Sequence, residues 1–272
     1  DLDGHLDAAI CQFGDRAVLF LWGQASTRPG KPVFGNPMYV PTVEGIWHLA
    51  IGDFKEDGLL DVAAVSSMVR TFSLLLNLGG RQFKSEARGI PGDGGHPVAA
   101  GDFDGDAHLD IAIGMGNVVS LAFGKGDGKF RKTTSGTLYV LPDPVYAHRF
   151  RAADLDEDGK SELLATGDAY VLVYLGSAIA SADGLPARPS IVLPIAGGTG
   201  RFLGIADVNA DGRLDVVSQA AGFDDRAAVQ FFLGDRSSAT GALTCVQGTK
   251  VTASLSGHGS VLAVGDIDGD SA

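Results

Sequence analysis

The stretch Gly101–Ile113, GDFDGDAHLDIAI, decides how the chain is read. It places Asp102, Asp104, Asp106 and Asp110 at positions 1, 3, 5 and 9 of a nine-residue loop, with apolar residues at 98–100 and 111–113 on either side. Carboxylates packed this closely repel one another unless a positive charge lies among them. A hard cation with oxygen ligands fits. Calcium takes about six to eight oxygens, and a tight loop supplies side chains at alternate positions plus one backbone carbonyl. Position 7, His108, would give that carbonyl.

The same frame recurs along the chain. Asp53, Asp57 and Asp61 repeat it with Lys55 at position 3; Asp154, Asp156, Asp158 and Glu162 repeat it in full; Asp207, Asn209, Asp211 and Asp215 follow. By the same register, Lys160 and Arg213 hold position 7 and would offer their carbonyls. Asp266, Asp268 and Asp270 begin a further copy, and Asp1, Asp3 and Asp7 occupy positions 3, 5 and 9 of another. A period of about 50 residues means stacked copies of one supersecondary unit. The units run approximately over 1–45, 46–95, 96–146, 147–199 and 200–257, with 258–272 opening the next.

Of the 33 acidic residues, 22 lie in these six loops, so the net charge of −12 is concentrated where cations would cancel it. Such acidity argues against nucleic-acid binding, which needs basic patches. No apolar run is long enough to span a bilayer. Magnesium demands near-octahedral geometry and keeps its waters, so ligand-rich flexible loops favour several structural calcium ions. An ion saturated by one loop pins a hairpin and has no open position for Lewis-acid chemistry. Lys55 puts an ammonium near Asp53, Asp57 and Asp61, and that loop is expected to hold no metal. Cys11 and Cys245 sit in separate apolar runs and are expected as free thiols.

Each repeat reads alike. A short strand of small residues (Val98–Gly101) precedes the acidic loop, and a second strand follows it (109–113, 163–166). A third comes after a turn (17–22, 71–76, 118–123, 170–175, 228–233), and a Gly-rich turn such as Gly124–Lys129 leads to a more polar fourth strand from Phe130. Four short antiparallel strands per repeat, without helical periodicity, predict an all-β protein, a β-propeller with one four-stranded blade per repeat. Small residues in the first strand suit crowding around a central channel.

The D-x-D-x-D-G-x-x-D loop, the apolar strand after it and the turns Phe123-Gly124, Leu175-Gly176 and Leu233-Gly234 resemble FG-GAP/VCBS repeats. These build the propeller of integrin α subunits and of secreted bacterial and fungal proteins. The resemblance implies that the calcium loop joins the first two strands of each blade. Ala107 and Ser271 stand where that family has glycine at position 6. The two ends of the chain read as halves of loops, so the expectation is a ring of about seven blades of which five units are visible.

A quieter periodic feature lies five to eight residues upstream of each loop: Trp47-His48, His96, His148-Arg149, Arg201-Phe202 and His258. In a propeller these would gather at the channel mouth opposite the calcium loops. Imidazoles, guanidiniums and an indole converging there could hold an anionic or sugar ligand, or several of the histidines could bind a transition metal. No nucleophile elbow, phosphate loop or zinc-protease motif occurs, and no catalytic residue is assigned. The leading expectation is a secreted or cell-surface, calcium-stabilised binding module for a glycan or protein ligand, as in adhesion. The alternatives are a propeller of a carbohydrate-active enzyme, such as a polysaccharide lyase or sugar dehydratase, and a purely structural scaffold.

Overall fold

The computed structural model describes residues 2–11, 14, 16–26, 33–89, 97–137, 139–140, 143–144, 146–167, 169–195, 202–221, 227–236 and 243–253. It is built of antiparallel sheets. Four of them have four strands in sequential order, each strand bonded to the one before it. The second sheet is Ile46–Gly52, Asp61–Ser66, Thr71–Asn77 and Phe83–Gly89. The third is Val98–Gly101, Asp110–Met115, Val118–Gly124 and Phe130–Thr137. The fourth is Arg149–Ala153, Glu162–Thr166, Tyr170–Tyr174 and Ile191–Pro194, and the fifth Leu203–Ala206, Asp215–Ala221, Ala227–Arg236 and Leu243–Ala253. The acidic loop joins the first and second strands of each. The protein is all-β, and its sheets are propeller blades.

The first sheet differs. Ala8–Cys11, Ala17–Leu21 and Met38–Pro41 form three strands. They correspond to the second, third and fourth strands elsewhere, because Ala8–Cys11 follows Asp7 at position 9. Residues 258–272, expected to open a further blade, lie outside the described residues.

Burial follows the sequence pattern. Every residue of Asp61–Ser66 and Glu162–Thr166 is buried, so these second strands are covered on both faces. The fourth strand Phe83–Gly89 alternates between exposed and half-buried, as an outer edge does. Lys, Arg and Glu along such an edge discourage pairing with another chain.

The chain divides into two compact units: Asp1–Ala100 with His108–Met115 and Ser120–Thr134, and Gly101–Ala107 with Gly116–Val119 and Ser135–Ala272. In the first, Val18, Phe20, Trp22 and Val40 pack against Ile46, Val62, Ala64 and Leu75 of the next sheet. A second core there joins Phe72, Leu74 and Val65 to Val98, Ile111 and Ile113. In the second unit, Leu164, Val171 and Val173 pack on Leu203, Val216 and Phe232. Each core thus lies between consecutive blades, so a single blade could not bury its faces alone.

One element departs from the all-strand expectation. Gly176–Ala182 is a short α-helix that ends at Asp183 in the left-handed region. Its seven residues, GSAIASA, bury little beyond Ile179. A segment that short carries no apolar stripe by which a helix is read from sequence. Among the described residues no helix is long and apolar enough to cross a membrane.

The glycine that ends each third strand is fixed by space. A Cβ on Gly124 would lie 2.2 Å from the Leu109 carbonyl oxygen, and on Gly234 2.5 Å from that of Leu214. Replacing Gly124 by alanine is therefore expected to destabilise the protein by about 1–3 kcal/mol through overpacking. A Cβ on Gly89 would meet nothing within 4 Å, so Gly89→Ala is the control and should change little. Denaturant midpoints of the two variants measure the difference.

Candidate metal centre

The acidic loops share one wiring plan, set by the aspartate at position 1. Asp102 Oδ1 accepts the Gly105 and Asp106 amides at 2.7 and 3.2 Å, and its Oδ2 accepts that of Ala107 at 2.8 Å. Asp154 takes the Asp158 and Gly159 amides at 3.1 and 3.0 Å, and Asp207 takes those of Asp211 and Gly212 at 3.1 and 2.7 Å. Asp53 does the same with Asp57 and Gly58. Position 5 then accepts the position-7 amide, as in Asp158 with Lys160 and Asp211 with Arg213, both at 2.9 Å. These bonds curl the loop so that alternate side chains converge.

The curl needs two left-handed residues per loop, at positions 4 and 6. Position 6 is Gly58, Gly159 or Gly212, but Ala107 in the third sheet, where φ is 68°. Position 4 is Glu56, Gly105, Glu157 or Ala210. The position-4 requirement does not show in the sequence, because three of those four residues are not glycine.

Position 9 is buried. Asp61, Asp110, Glu162 and Asp215 are all fully shielded from solvent. Asp61 accepts the Phe54 amide at 3.1 Å and the Asn77 amide at 2.7 Å. Asp215 accepts those of Val208 and Gly234 at 2.9 and 2.8 Å, and Glu162 those of Leu155 and Gly176 at 2.5 and 3.2 Å. Asp110 accepts the Gly124 amide and Asp7 the Gly23 amide, each at 2.8 Å. The ninth residue thus ties its loop to the end of the third strand.

Two loops bring three acids together. Asp102, Asp104 and Asp110 each place a carboxylate oxygen within 4.8 Å of the others', and so do Asp154, Asp156 and Glu162. Positions 1, 3 and 9 therefore converge within one stretch of nine residues. The donors suit a hard cation: all oxygen, all anionic, one of the three fully buried. The charge crowding is visible at Glu162, whose pKa is pushed up to about 7, first by burial and then by Asp156 and Asp154, against the two amide bonds. A bound cation would favour the ionised form and relieve that repulsion.

The position-5 carboxylates of Asp106 and Asp158 do not enter these two groupings of acidic side chains; both residues are exposed, and Asp158 Oδ2 lies 3.3 Å from Lys160 Nζ. The His108 ring engages Glu56. In the fifth sheet Asn209 takes position 3, and its amide nitrogen donates to Asp211 at 2.9 Å. Asp207 and Asp215 flank it, so that loop offers two carboxylates and an amide oxygen at positions 1, 3 and 9, with the Arg213 carbonyl at position 7. Asp3 accepts the His5 amide at 2.9 Å and lies 3.8 Å from Arg81. Asp1, Asp266, Asp268 and Asp270 lie outside the described residues.

The loop at 53 is wired differently. Lys55 Nζ binds Asp57, donates to the Asn77 carbonyl at 2.5 Å and stands 3.9 Å from Asp61. The ammonium thus sits among the carboxylates. Burial raises the Asp61 pKa, and the Asn77 amide and the Lys55 charge oppose that rise. Asn77 replaces the usual glycine, and its side-chain amide donates to the Leu60 carbonyl at 3.2 Å.

A family model described as an FG-GAP-like repeat matches residues 53–113, 102–165 and 154–218, well over half the chain. The chain belongs to the FG-GAP-like repeat family. Acidic triads at the loop between the first two strands are typical of such repeats. No curated protein matches the chain. Three solved structures illustrate its similarities. An Agrocybe aegerita lectin that recognises non-reducing terminal N-acetylglucosamine is 19% identical, covers 84% of this chain and 63% of its own, and has a TM-score of 0.48. The V. cholerae biofilm matrix protein Bap1 is 15% identical over 85% of this chain and 35% of its own, at 0.43. BBS1N, in complex with ARL6DN, is 12% identical over 74% and 57%, at 0.46. This chain spans 52–63% of the length of the first three solved chains it matches.

The expected ligand face is partly visible. Trp47 and His48 lie on the first strand of the second sheet, where a register shift between Ile46 and His48 marks a β-bulge. Trp47 is the extra residue, 46% exposed. Bulges re-aim side chains in this way. Cys11, a free thiol, donates to the Trp47 carbonyl at 3.2 Å. His148 and Arg149 open the first strand of the fourth sheet, at the end of that hairpin away from Asp154. The side chain of Cys245, with His96, Arg201 and His258, lies outside the described residues.

The two kinds of loop should respond differently to substitution. Lys55→Met strands Asp61 beside acids without its cation and should cost about 1–3 kcal/mol, with metal content unchanged. Asp104→Asn and Asp156→Asn should each lower the bound metal by one ion per chain. Elemental analysis with thermal melts reads both outcomes; metal lost on Lys55→Met would show an ion in the loop at 53.

Proposed function

We propose that this FG-GAP-like propeller is a calcium-stabilised binding module of an extracellular protein, with the metals structural and the ligand a glycan. The convergence of positions 1, 3 and 9 in the loops at 102 and 154 carries the calcium reading. A third site at 207 would use Asp207, Asn209, Asp211, the Arg213 carbonyl and Asp215. The extracellular placement follows from the metal. Extracellular calcium-binding modules work at roughly 10⁻⁴–10⁻³ M, concentrations that calcium reaches outside cells.

Ligand binding is assigned to the loop ends opposite the metals. In the first unit Trp47, raised on its bulge, offers a stacking ring; in the second the His148-Arg149 pair supplies polar donors. Aromatic faces and a few charged groups each suit sugars, which have both apolar faces and hydroxyls. His48, His96, Arg201 and His258 belong to the same periodic set.

Removing calcium should lower the melting temperature, because an ion bound only by the native state stabilises it. At 100 times its dissociation constant, one ion contributes roughly 2.7 kcal/mol. Chelator titration followed by calorimetry, with a glycan array probed by the calcium-loaded protein, tests both parts. A melting temperature indifferent to chelator refutes the calcium reading. An array without hits, set against binding to extracellular proteins, would replace glycan by protein as ligand.

A further inference from the structure

Arg149 and Arg151 alternate on the first strand of the fourth sheet, so both project from the same face. Each guanidinium donates to the carbonyl of the residue before it, His148 or Phe150, at 3.0 Å. Arg151 has no carboxylate partner among the described residues. Lys55, Lys84, Arg88, Lys129 and Lys160 all lie against acids. Crowding by protein atoms, and then the Arg149 charge, hold the Arg151 pKa below its ordinary value, although the residue reaches solvent.

A buried hydroxyl lies beside this pair. Thr166 is directly opposite Arg149 in the antiparallel register, and directly opposed residues share a face. Thr166 is fully buried, and its Oγ1 has no hydrogen-bond partner. Two adjacent guanidiniums, one lacking an acid, and an unused hydroxyl form a set of donors in search of oxygen acceptors. Tyr146, 62% exposed, precedes the strand and packs its ring edge near Gly116.

We propose that Arg149, Arg151 and Thr166 form a subsite for an oxyanion, the carboxylate or sulfate of an acidic polysaccharide. The proposal rests on the glycan-binding reading above and narrows it to charged sugars. Guanidinium is weakly hydrated and grips planar or tetrahedral oxyanions through paired N–H bonds. Tyr146 offers an aromatic face for the neighbouring sugar ring. A polysaccharide fits better than a protein partner, because the large apolar residues exposed in this unit are few: Tyr146, Val192 and Leu214 among those described. A protein interface needs an apolar centre and about 800 Å² per partner.

The test is titration of the calcium-loaded chain with polygalacturonate, dextran sulfate and neutral dextran, followed by calorimetry. At least one charged polymer should bind, neutral dextran should not, and added salt should weaken binding. The preferred polymer distinguishes carboxylate from sulfate. The double change Arg149→Gln with Arg151→Gln should weaken binding at least tenfold without altering the calcium-dependent melting temperature, and Arg151→Lys should retain part of it. Should the double variant fail to fold, the surface change Tyr146→Ala must still weaken binding, or the proposal falls. Undiminished binding by a folded double variant overturns it. So does equal binding of dextran, or binding of neither charged polymer. Neutral glycan hits on the array that survive the arginine changes would sink this subsite and leave the glycan module standing. An array with no hits at all would remove both.

Discussion

A carboxylate buried at the ninth position of the loops at 53, 102, 154 and 207 ties each loop to its own sheet. Asp61, Glu162 and Asp215 each accept one amide from the second residue of the loop and one from the end of the third strand. Burying a charge is costly unless hydrogen bonds satisfy it. Here the satisfaction comes from backbone groups that would otherwise lie unpaired where the hairpin turns. The same bonds draw the third strand so close to the loop that a side chain on Gly124 or Gly234 would collide with a carbonyl oxygen. At those two positions the close approach, rather than any freedom of φ, requires glycine, whereas Asn77 makes the same bond to Asp61 with a side chain in place.

Once that carboxylate is fixed, positions 1 and 3 bring further negative charge to it, and the structure balances the charge in two ways. In the loops at 102 and 154 three carboxylates face one small volume, and the Glu162 pKa rises to about 7, chiefly because the carboxylate is buried and further through the charges of Asp156 and Asp154. A divalent cation drawn from solvent would offset those charges. In the loop at 53 the chain carries its own cation. Lys55 brings an ammonium, and Asn77 takes the glycine's place and bonds the Leu60 carbonyl through its side chain. The two departures lie 22 residues apart in sequence and meet in space.

Within each unit consecutive blades share cores. Burial grades across a sheet: in the second, the strand Asp61–Ser66 is buried throughout, whereas the fourth strand Phe83–Gly89 is charged and partly exposed. This gradient is why the first strand is a suitable place for function. It is held rigidly by the core, yet its end opposite the acidic loop reaches solvent, as Trp47 and Arg151 do. Exposed side chains on such a strand are positioned as firmly as core residues, which favours recognition by fixed donors.

Much of this was legible in the sequence. The 50-residue period, the D-x-D-x-D-G-x-x-D frame and the apolar runs after it define the repeat, the strand order and the loop's place between first and second strands. The reason is that these features are local: ligand spacing within nine residues, and alternation or burial within one strand. Lys55 could be read as a replacement for the cation because its position within the frame is enough. Other features are not local. That the Asn77 carbonyl meets Lys55, that Trp47 stands on a bulge, that Asp61 and Glu162 spend their oxygens on the third strand, and that Arg151 has no acid beside it among the described residues depend on pairing between strands. The seven-residue helix at Gly176–Ala182 is too short to display a period. The sequence by itself determined the architecture and the acids available to a metal. Only the tertiary structure decided which of those acids converge and which side chains are left with unmet charge, because both depend on distances between segments that the order of residues does not specify.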